Sequence, residues 1–285
     1  ALVVLSGGQD STTCLALAVR EYGADNVAAL TIDYGQRHRR ELDAAVNVAR
    51  LFGIRPPEVL VLGSNILHGT SPLTDKNAVL EQYESFEQMD KIIGDRVEKT
   101  FVPMRNALFL TLAANRAICL GAESIYTGVC QADNANYPDC RRVFITAQQH
   151  AINQALGLDD SDPDPADTSN MLRIITPLMF MTKAQSIRHL IDTCGPVAFA
   201  RLAWSHTAYD GQYPPVGRDH ATVLRAQGFL EAGWPDPLIV RAHMEGLMEL
   251  PDTPNYQDSQ VLIALRTIIE DEGRRFDRLY WQETE

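Results

Sequence analysis

Ser6, Asp10 and Ser11 flank a Gly7-Gly8 pair, directly after the apolar run over residues 2–5. Adjacent glycines let the backbone turn without Cβ clashes, so several N–H groups and the start of a following helix can converge on one anion. The anion expected here is a phosphate. Ser6 and Ser11 offer hydroxyls, and Asp10 a carboxylate that fixes the loop or helps to hold Mg²⁺. The loop does not follow the GxxxxGK[ST] pattern, because no lysine follows the glycines and the turn is too short. The bland alternative is a βα turn that binds nothing, and the order strand, turn, helix speaks against it.

Residues 130–141, CQADNANYPDCR, form a second cluster. Two carboxylates (Asp133, Asp139), an aromatic ring (Tyr137), a thiol (Cys140) and an arginine (Arg141) share a short loop whose path Pro138 restricts. A surface turn needs no such mixture. A planar heterocycle does: a face to stack on, acceptors for ring N–H and exocyclic NH₂, and a cation for a carboxylate. Arg105 and Asn106 open a helix, where guanidinium and amide can grip a phosphate or a base edge, or Asn106 can simply cap. Lys183, also at a helix start, can neutralise a phosphate in a transition state. Gln36 and His38 are within reach of a ligand, although a lone histidine at a helix start is more often a solvent-side residue. Cys140 is tempting as a nucleophile, but buried cysteines are usually inert.

These residues need a scaffold that brings them together. Apolar runs over residues 2–5, 27–34, 58–62 and 124–129, with a fifth ending at Pro177-Leu178, read as strands alternating with amphipathic helices. Strand, helix, strand implies right-handed parallel crossovers in an open α/β sheet whose ligands sit at the C-terminal strand ends. Asp33 and Tyr34 therefore fall near Ser6. The polar stretch from the third strand to about Lys99 has few periodic signals and is expected to be a flap or a disordered segment. Residues 159–167, acidic and proline-bearing, read as a flexible surface loop. Near the C-terminus, Leu262, Leu265, Ile268 and Ile269 form a helical stripe that Phe276, Leu279 and Tyr280 continue.

With 285 residues the chain can bury one large core. Its 37 acidic against 25 basic residues give a formal charge of −12, which repels phosphate backbones and disfavours a direct nucleic-acid partner. No run approaches the roughly 20 apolar residues of a membrane span, so a cytoplasmic protein with no membrane partner is expected. Five cysteines, an odd number without a CxxC pair, point to reduced thiols.

The Ser6 loop resembles the pyrophosphate-binding loop of the N-type ATP pyrophosphatases. Together with DYGQRH from Asp33, SPLT from Ser71, FVPMRN from Phe101, TGVCQAD from Thr127, NYPDCR from Asn136 and TPLMFMTKA from Thr176, it is similar to the 7-cyano-7-deazaguanine synthase family. The resemblance implies a Rossmann-like open parallel sheet of the adenine nucleotide α-hydrolase type, with helices on both faces, to which this chain's own helical stripe adds a C-terminal helical extension. It implies adenylation of 7-carboxy-7-deazaguanine by ATP, displacement of AMP by ammonia, and dehydration of the amide to a nitrile with a second ATP. By carry-over, Ser6, Gly7, Gly8, Asp10 and Ser11 hold pyrophosphate, with Gln9, Thr12, Asp33 and Tyr34 counted in the same nucleotide site and Mg²⁺ accompanying ATP. Arg105, Asn106, Asp133, Tyr137, Asp139, Cys140, Arg141, Gln36 and His38 are assigned to the heterocycle, and Lys183 to the adenylate. The catalytic set is Asp10, Ser11, Lys183 and Arg105. A homodimer is also implied.

Two departures stand out. The family's four-cysteine zinc site falls on residues 206–229, where Ala208, Val216, Asp219 and Thr222 replace the thiols, so zinc is not expected. His206, Asp219 and His220 could in principle make a weaker site but read better as polar surface. Residues 237–285 then form an extension beyond a body of residues 1–236, expected to dock against the zinc-less region. Such departures fit a divergent antiphage relative that passes the activated deazaguanine to a protein amine, and a non-catalytic nucleotide-binding scaffold is a further alternative.

Overall fold

A computed structural model describes residues 1–282 except 38, 64, 65, 68, 70, 76, 133, 134 and 159–170, and no side chain beyond residue 279. His38, Asp133, the acidic loop and the Tyr280 side chain thus lie outside the described residues.

Five parallel strands form one sheet in the order β3-β2-β1-β4-β5. They are β1 (Leu2–Val4), β2 (Ala28–Asp33), β3 (Glu58–Val61), β4 (Ser124–Tyr126) and β5 (Arg173–Ile175). Central β1 explains the layering. Val3 and Leu5 face one core with α1 (Gln9–Tyr22), α2 (Arg40–Leu51) and, later in the chain, the helix Lys183–Ala200, through Leu15, Ala45 and Ile187. Leu2 faces the other core, with Leu110 of the helix Arg105–Cys119 and Ile145 of the helix Arg142–Leu156. Side chains that alternate across a strand and are apolar in both directions require helices on both faces.

The expected strands are all present, but β4 stops at Tyr126 and β5 at Ile175, short of their apolar runs. The residues that leave the sheet have another use: Thr127, Gly128 and Val129 line a cavity. The order reverses between β1 and β4, and that switch point is where open α/β sheets bind ligands.

The stretch after β3 is not the featureless flap expected. It contains α3 (Phe86–Ile93), capped by the Ser85 side chain, which accepts from the Gln88 N–H. Phe86, Met89 and Ile93 follow helical spacing. Together with Tyr83 they pack on Val223 and Leu224 in a small third core. After α3 come α4 (Arg105–Cys119), α5 (Arg142–Leu156), α6 (Lys183–Ala200), α7 (His220–Ala232), α8 (Pro237–Met244) and α9 (Ser259–Gln282).

Helix α9 buries its stripe in the first core: Leu262, Leu265 and Ile269 join Val240 of α8 and Trp204 there. Arg275 donates to the Leu51 carbonyl at 3.1 Å, and Arg201 pairs with Glu272 at 2.5 Å. The extension therefore docks on α2, α6 and the Trp204 turn, beside residues 206–229. No helix among the described residues is long and apolar enough to cross a membrane.

Candidate active site

Residues 6–8 connect β1 to α1 and bond chiefly to themselves. The Ser11 hydroxyl accepts from the Ser6 N–H at 3.2 Å and donates to the Gly8 carbonyl at 3.2 Å, while the Gly8 N–H donates to Ser6 Oγ at 3.3 Å. Gly7 is obligatory. Its φ is +84°, and a Cβ there would sit 2.4 Å from the Glu41 carbonyl oxygen of α2. The His206 N–H closes the loop from outside by donating to the Gly7 carbonyl at 2.8 Å.

Two close approaches around this loop, one to Asp10 and one to Lys183, are at distances that only glycine permits. At Gly128, after β4, a Cβ would lie 2.9 Å from Asp10 Cβ, and at Gly228 of α7 a Cβ would lie 2.4 Å from Lys183 Cβ. The second approach seats the start of α6, where Thr182 and Gln185 form a capping box, against α7. Lys183 Nζ then donates to Asp10 Oδ2 at 2.6 Å. Residues 173 positions apart in sequence thus place a cation at the edge of the Ser6 loop.

Opposite stands the loop after β4. Asp139 accepts from the Asn106 N–H at 3.2 Å, so it is Asp139 that caps α4. The Asn106 amide instead donates to the Asp139 carbonyl and to Cys140 Sγ, both at 3.3 Å. These bonds lock the α4 entrance to the turn Pro138–Cys140. Burial raises the Asp139 carboxyl above its usual range, against the Asn106 N–H and Arg105.

Both loops line a single cavity of about 310 Å³. It gathers Ser6, Gly8, Gln9, Asp10, Ser11 and Lys183 on one side. Tyr34, Gln36, Arg105, Asn106, Tyr137, Cys140 and Arg141 face it from the other elements. Gly7, Thr12, Asp33 and Asp139 are not among its walls. Gly7 and Asp139 support those walls from behind, and Asp33 bonds the Gly35 N–H at 3.2 Å and pairs with Arg39 at 2.9 Å. Gln9 is 4% exposed, and neither atom of its amide finds a partner among the described residues. A buried amide without bonds in the wall of a cavity fits a site completed by a polar ligand.

A further wall comes from residues that the sequence pattern does not assign to the ligand site. Glu41, His206, Thr207, Tyr209, His220 and Arg225 also line the cavity. Burial lifts the Glu41 carboxyl to about 7, with Arg105 opposing and Asp219 adding to the rise. Burial lifts Asp219 to about 6 against its bonds from Thr222. The expectation that His206, Asp219 and His220 are polar surface is corrected: they are 6%, 7% and 4% exposed. His206 Nε2 lies 3.0 Å from the Ala208 carbonyl, and Asp219 Oδ1 accepts from the Thr222 N–H at 3.1 Å, capping α7. Among the described residues no group of three His, Cys, Asp or Glu is placed to hold a metal ion. Ala208 and Val216 have no ligating atom, so the residues present do not fit a four-thiolate zinc site.

In this α/β protein a self-bonded loop at the switch point, a lysine beside it and an arginine among tyrosines opposite share one cavity. Residues 1–233 match the family described as Queuosine biosynthesis protein QueC, and the chain belongs to that family. Over 238 residues it is 48% identical to the 7-cyano-7-deazaguanine synthase of Gloeobacter violaceus, covering 84% of this chain and 94% of the relative. The 7-cyano-7-deazaguanine synthases of Chromobacterium violaceum and Laribacter hongkongensis are each 44% identical over 245 residues, covering 86% and 85% of this chain and 95% and 94% of theirs.

Proposed function

We propose that this chain is an ATP-dependent C–N ligase that adenylates the carboxylate of 7-carboxy-7-deazaguanine and passes the acyl group to ammonia. The resulting amide goes on to 7-cyano-7-deazaguanine with a second ATP. The observation that carries the reading is the shared cavity of the phosphate loop and the Tyr137 loop. A carboxylate conjugated to an electron-rich pyrrole is a poor electrophile. It needs a leaving group before nitrogen can attack, and AMP is one.

In this reading the Ser6 and Ser11 hydroxyls and the start of α1 hold the departing pyrophosphate. Lys183, 2.6 Å from Asp10, offsets charge that develops on the α-phosphate. Mg²⁺ would accompany the triphosphate and shield its oxygens, with Asp10 the nearest carboxylate of the loop. Arg105 takes the heterocycle's carboxylate, and Tyr137 offers its ring as a stacking face. Residues 1–236 form the catalytic body, and residues 237–285 an extension that buttresses it.

The test is incubation with ATP and the carboxylated base. Pyrophosphate release that depends on the base supports the reading, and its absence sinks it. Product mass then separates a nitrile from an amide or from a conjugated polypeptide, the outcome expected of a protein-modifying relative.

A further inference from the structure

The cavity wall that carries Tyr137 is braced from outside by a carboxylate that never reaches the cavity. Glu98 is 1% exposed. It accepts from the Thr100 N–H at 2.6 Å and from the Thr100 hydroxyl, and the Tyr137 hydroxyl lies 2.5 Å from Thr100 Oγ1. Tyr137 OH is also 3.4 Å from Glu98 Oε2, and Tyr83 OH is 3.5 Å from Oε1. The Glu98 N–H donates to the Ala135 carbonyl at 3.0 Å, which ties the same residue to the backbone of the Tyr137 loop.

The direction of these bonds follows from the proton count. A carboxylate only accepts, so it takes the single hydroxyl proton of Thr100. Tyr137 then donates to Thr100 Oγ1 or directly to Glu98 Oε2, and either way its oxygen has only lone pairs left. Burial, followed by the charge of Glu98, pushes the phenol up, so it keeps that proton at neutral pH. Phe101 fixes the ring from the side, with centroids 5.4 Å apart and planes at 36°.

Stability alone does not explain this arrangement. Nearby Glu81 pairs with Arg96 and Lys99, whereas among the described residues no cation bridges Glu98. A buried carboxylate satisfied by hydroxyls and one amide costs more than an apolar residue of the same size. What it confers is a tyrosine whose ring plane and hydroxyl polarity are both set.

We propose that Glu98 is a positioning residue for the heterocyclic substrate: acting through Thr100, it holds Tyr137 as a fixed stacking face with an acceptor-only hydroxyl and so favours flat rings that carry N–H groups. The proposal rests on the reading of the site as one for a deazaguanine carboxylate.

The experiment is ATP–pyrophosphate exchange driven by the carboxylated base, with KM measured separately for base and ATP. Glu98→Gln is expected to raise KM for the base about tenfold, the worth of one well-placed hydrogen bond, with KM for ATP and maximal exchange changed less than about twofold. Tyr137→Phe should raise the same KM, and the double variant should be no worse than the more impaired single one, since both act through one hydroxyl. Thr100→Val, which cuts the relay and keeps the shape, carries the same expectation and decides the matter if Glu98→Gln does not fold. Equal losses for base and ATP, a lowered melting temperature with unchanged KM, or additive single effects would overturn the proposal. Wild-type protein without base-dependent exchange would overturn the underlying reading first, and this inference with it.

Discussion

On one side of the cavity the Ser6 loop is a run of consecutive residues that bond chiefly to one another, from the Ser6 N–H to the Ser11 hydroxyl. On the other, Arg105, Tyr137, Tyr209 and Glu41 arrive from four separate segments of the chain. Local bonding makes a site whose removal should abolish chemistry and leave the fold nearly intact. Dispersed bonding makes a wall in which substrate selection and stability are entangled.

The sharpest break in that contrast is Asp10→Ala. Asp10 lies at the start of α1 and pairs with Lys183, so its loss should stop formation of both AMP and product, a fall of about a thousandfold or more. Folding stability should fall by only about 1 kcal/mol, because the pair is partly solvated. Chromatographic assay of AMP beside urea unfolding checks both halves. An active variant would remove the loop from the chemistry.

Asp236→Ala should do the reverse. Arg225, a wall residue, donates to both oxygens of Asp236 at 2.6 and 2.8 Å, with both side chains 4% exposed, and also to Ser205 and Thr207. Removing the carboxylate strands a buried guanidinium and should cost about 3–5 kcal/mol in urea unfolding. A loss below about 1 kcal/mol would mean that this wall is not held by its ion pair.

The difference between the walls also governs what the sequence discloses. Five apolar strand runs and SGGQDS are contiguous patterns, and they point directly to the parallel sheet and to the C-terminal ends of its strands. Helix α3 was hidden because its two buried residues, Met89 and Ile93, and the half-buried Phe86 are interleaved with polar and charged residues over barely two turns. Gly228 offered no signal, since its need for a missing Cβ exists only once α6 lies against it. The same holds for Glu41 and Tyr209. Their place in the cavity wall depends on the packing of α2 and residues 205–225 around Arg105, and no local spacing encodes it.

Glu41 supplies a pH test of that hidden wall. Its carboxyl is raised from 4.5 to about 7 in the folded chain, chiefly by burial. The folded state therefore binds more protons than the unfolded state between those values, so the stability contribution is complete below 4.5 and is lost as pH rises through about 7. Asp219, raised to about 6, acts in the same direction over a narrower window. Urea midpoints should decline from acidic to slightly alkaline pH, and Glu41→Gln should flatten much of that slope. An unchanged slope would show that Glu41 stays ionised in its place.

The smallest effect belongs to neither wall. Arg116 on α4 donates through Nε and Nη2 to Glu58 on edge strand β3, at 3.0 and 2.9 Å, with the two side chains 30% and 40% exposed. Solvent screens such a pair, so Arg116→Ala should cost about 0.5 kcal/mol, fading in high salt, with both KM values unchanged. The result matters because α4 carries Arg105 into the cavity from its other end, about three turns away. If loosening the far end raised KM for the heterocycle, the dispersed wall would extend across the whole length of α4 to the sheet edge. If it does not, the positioning of Arg105 is settled at the helix entrance, by Asn106 and Asp139 alone.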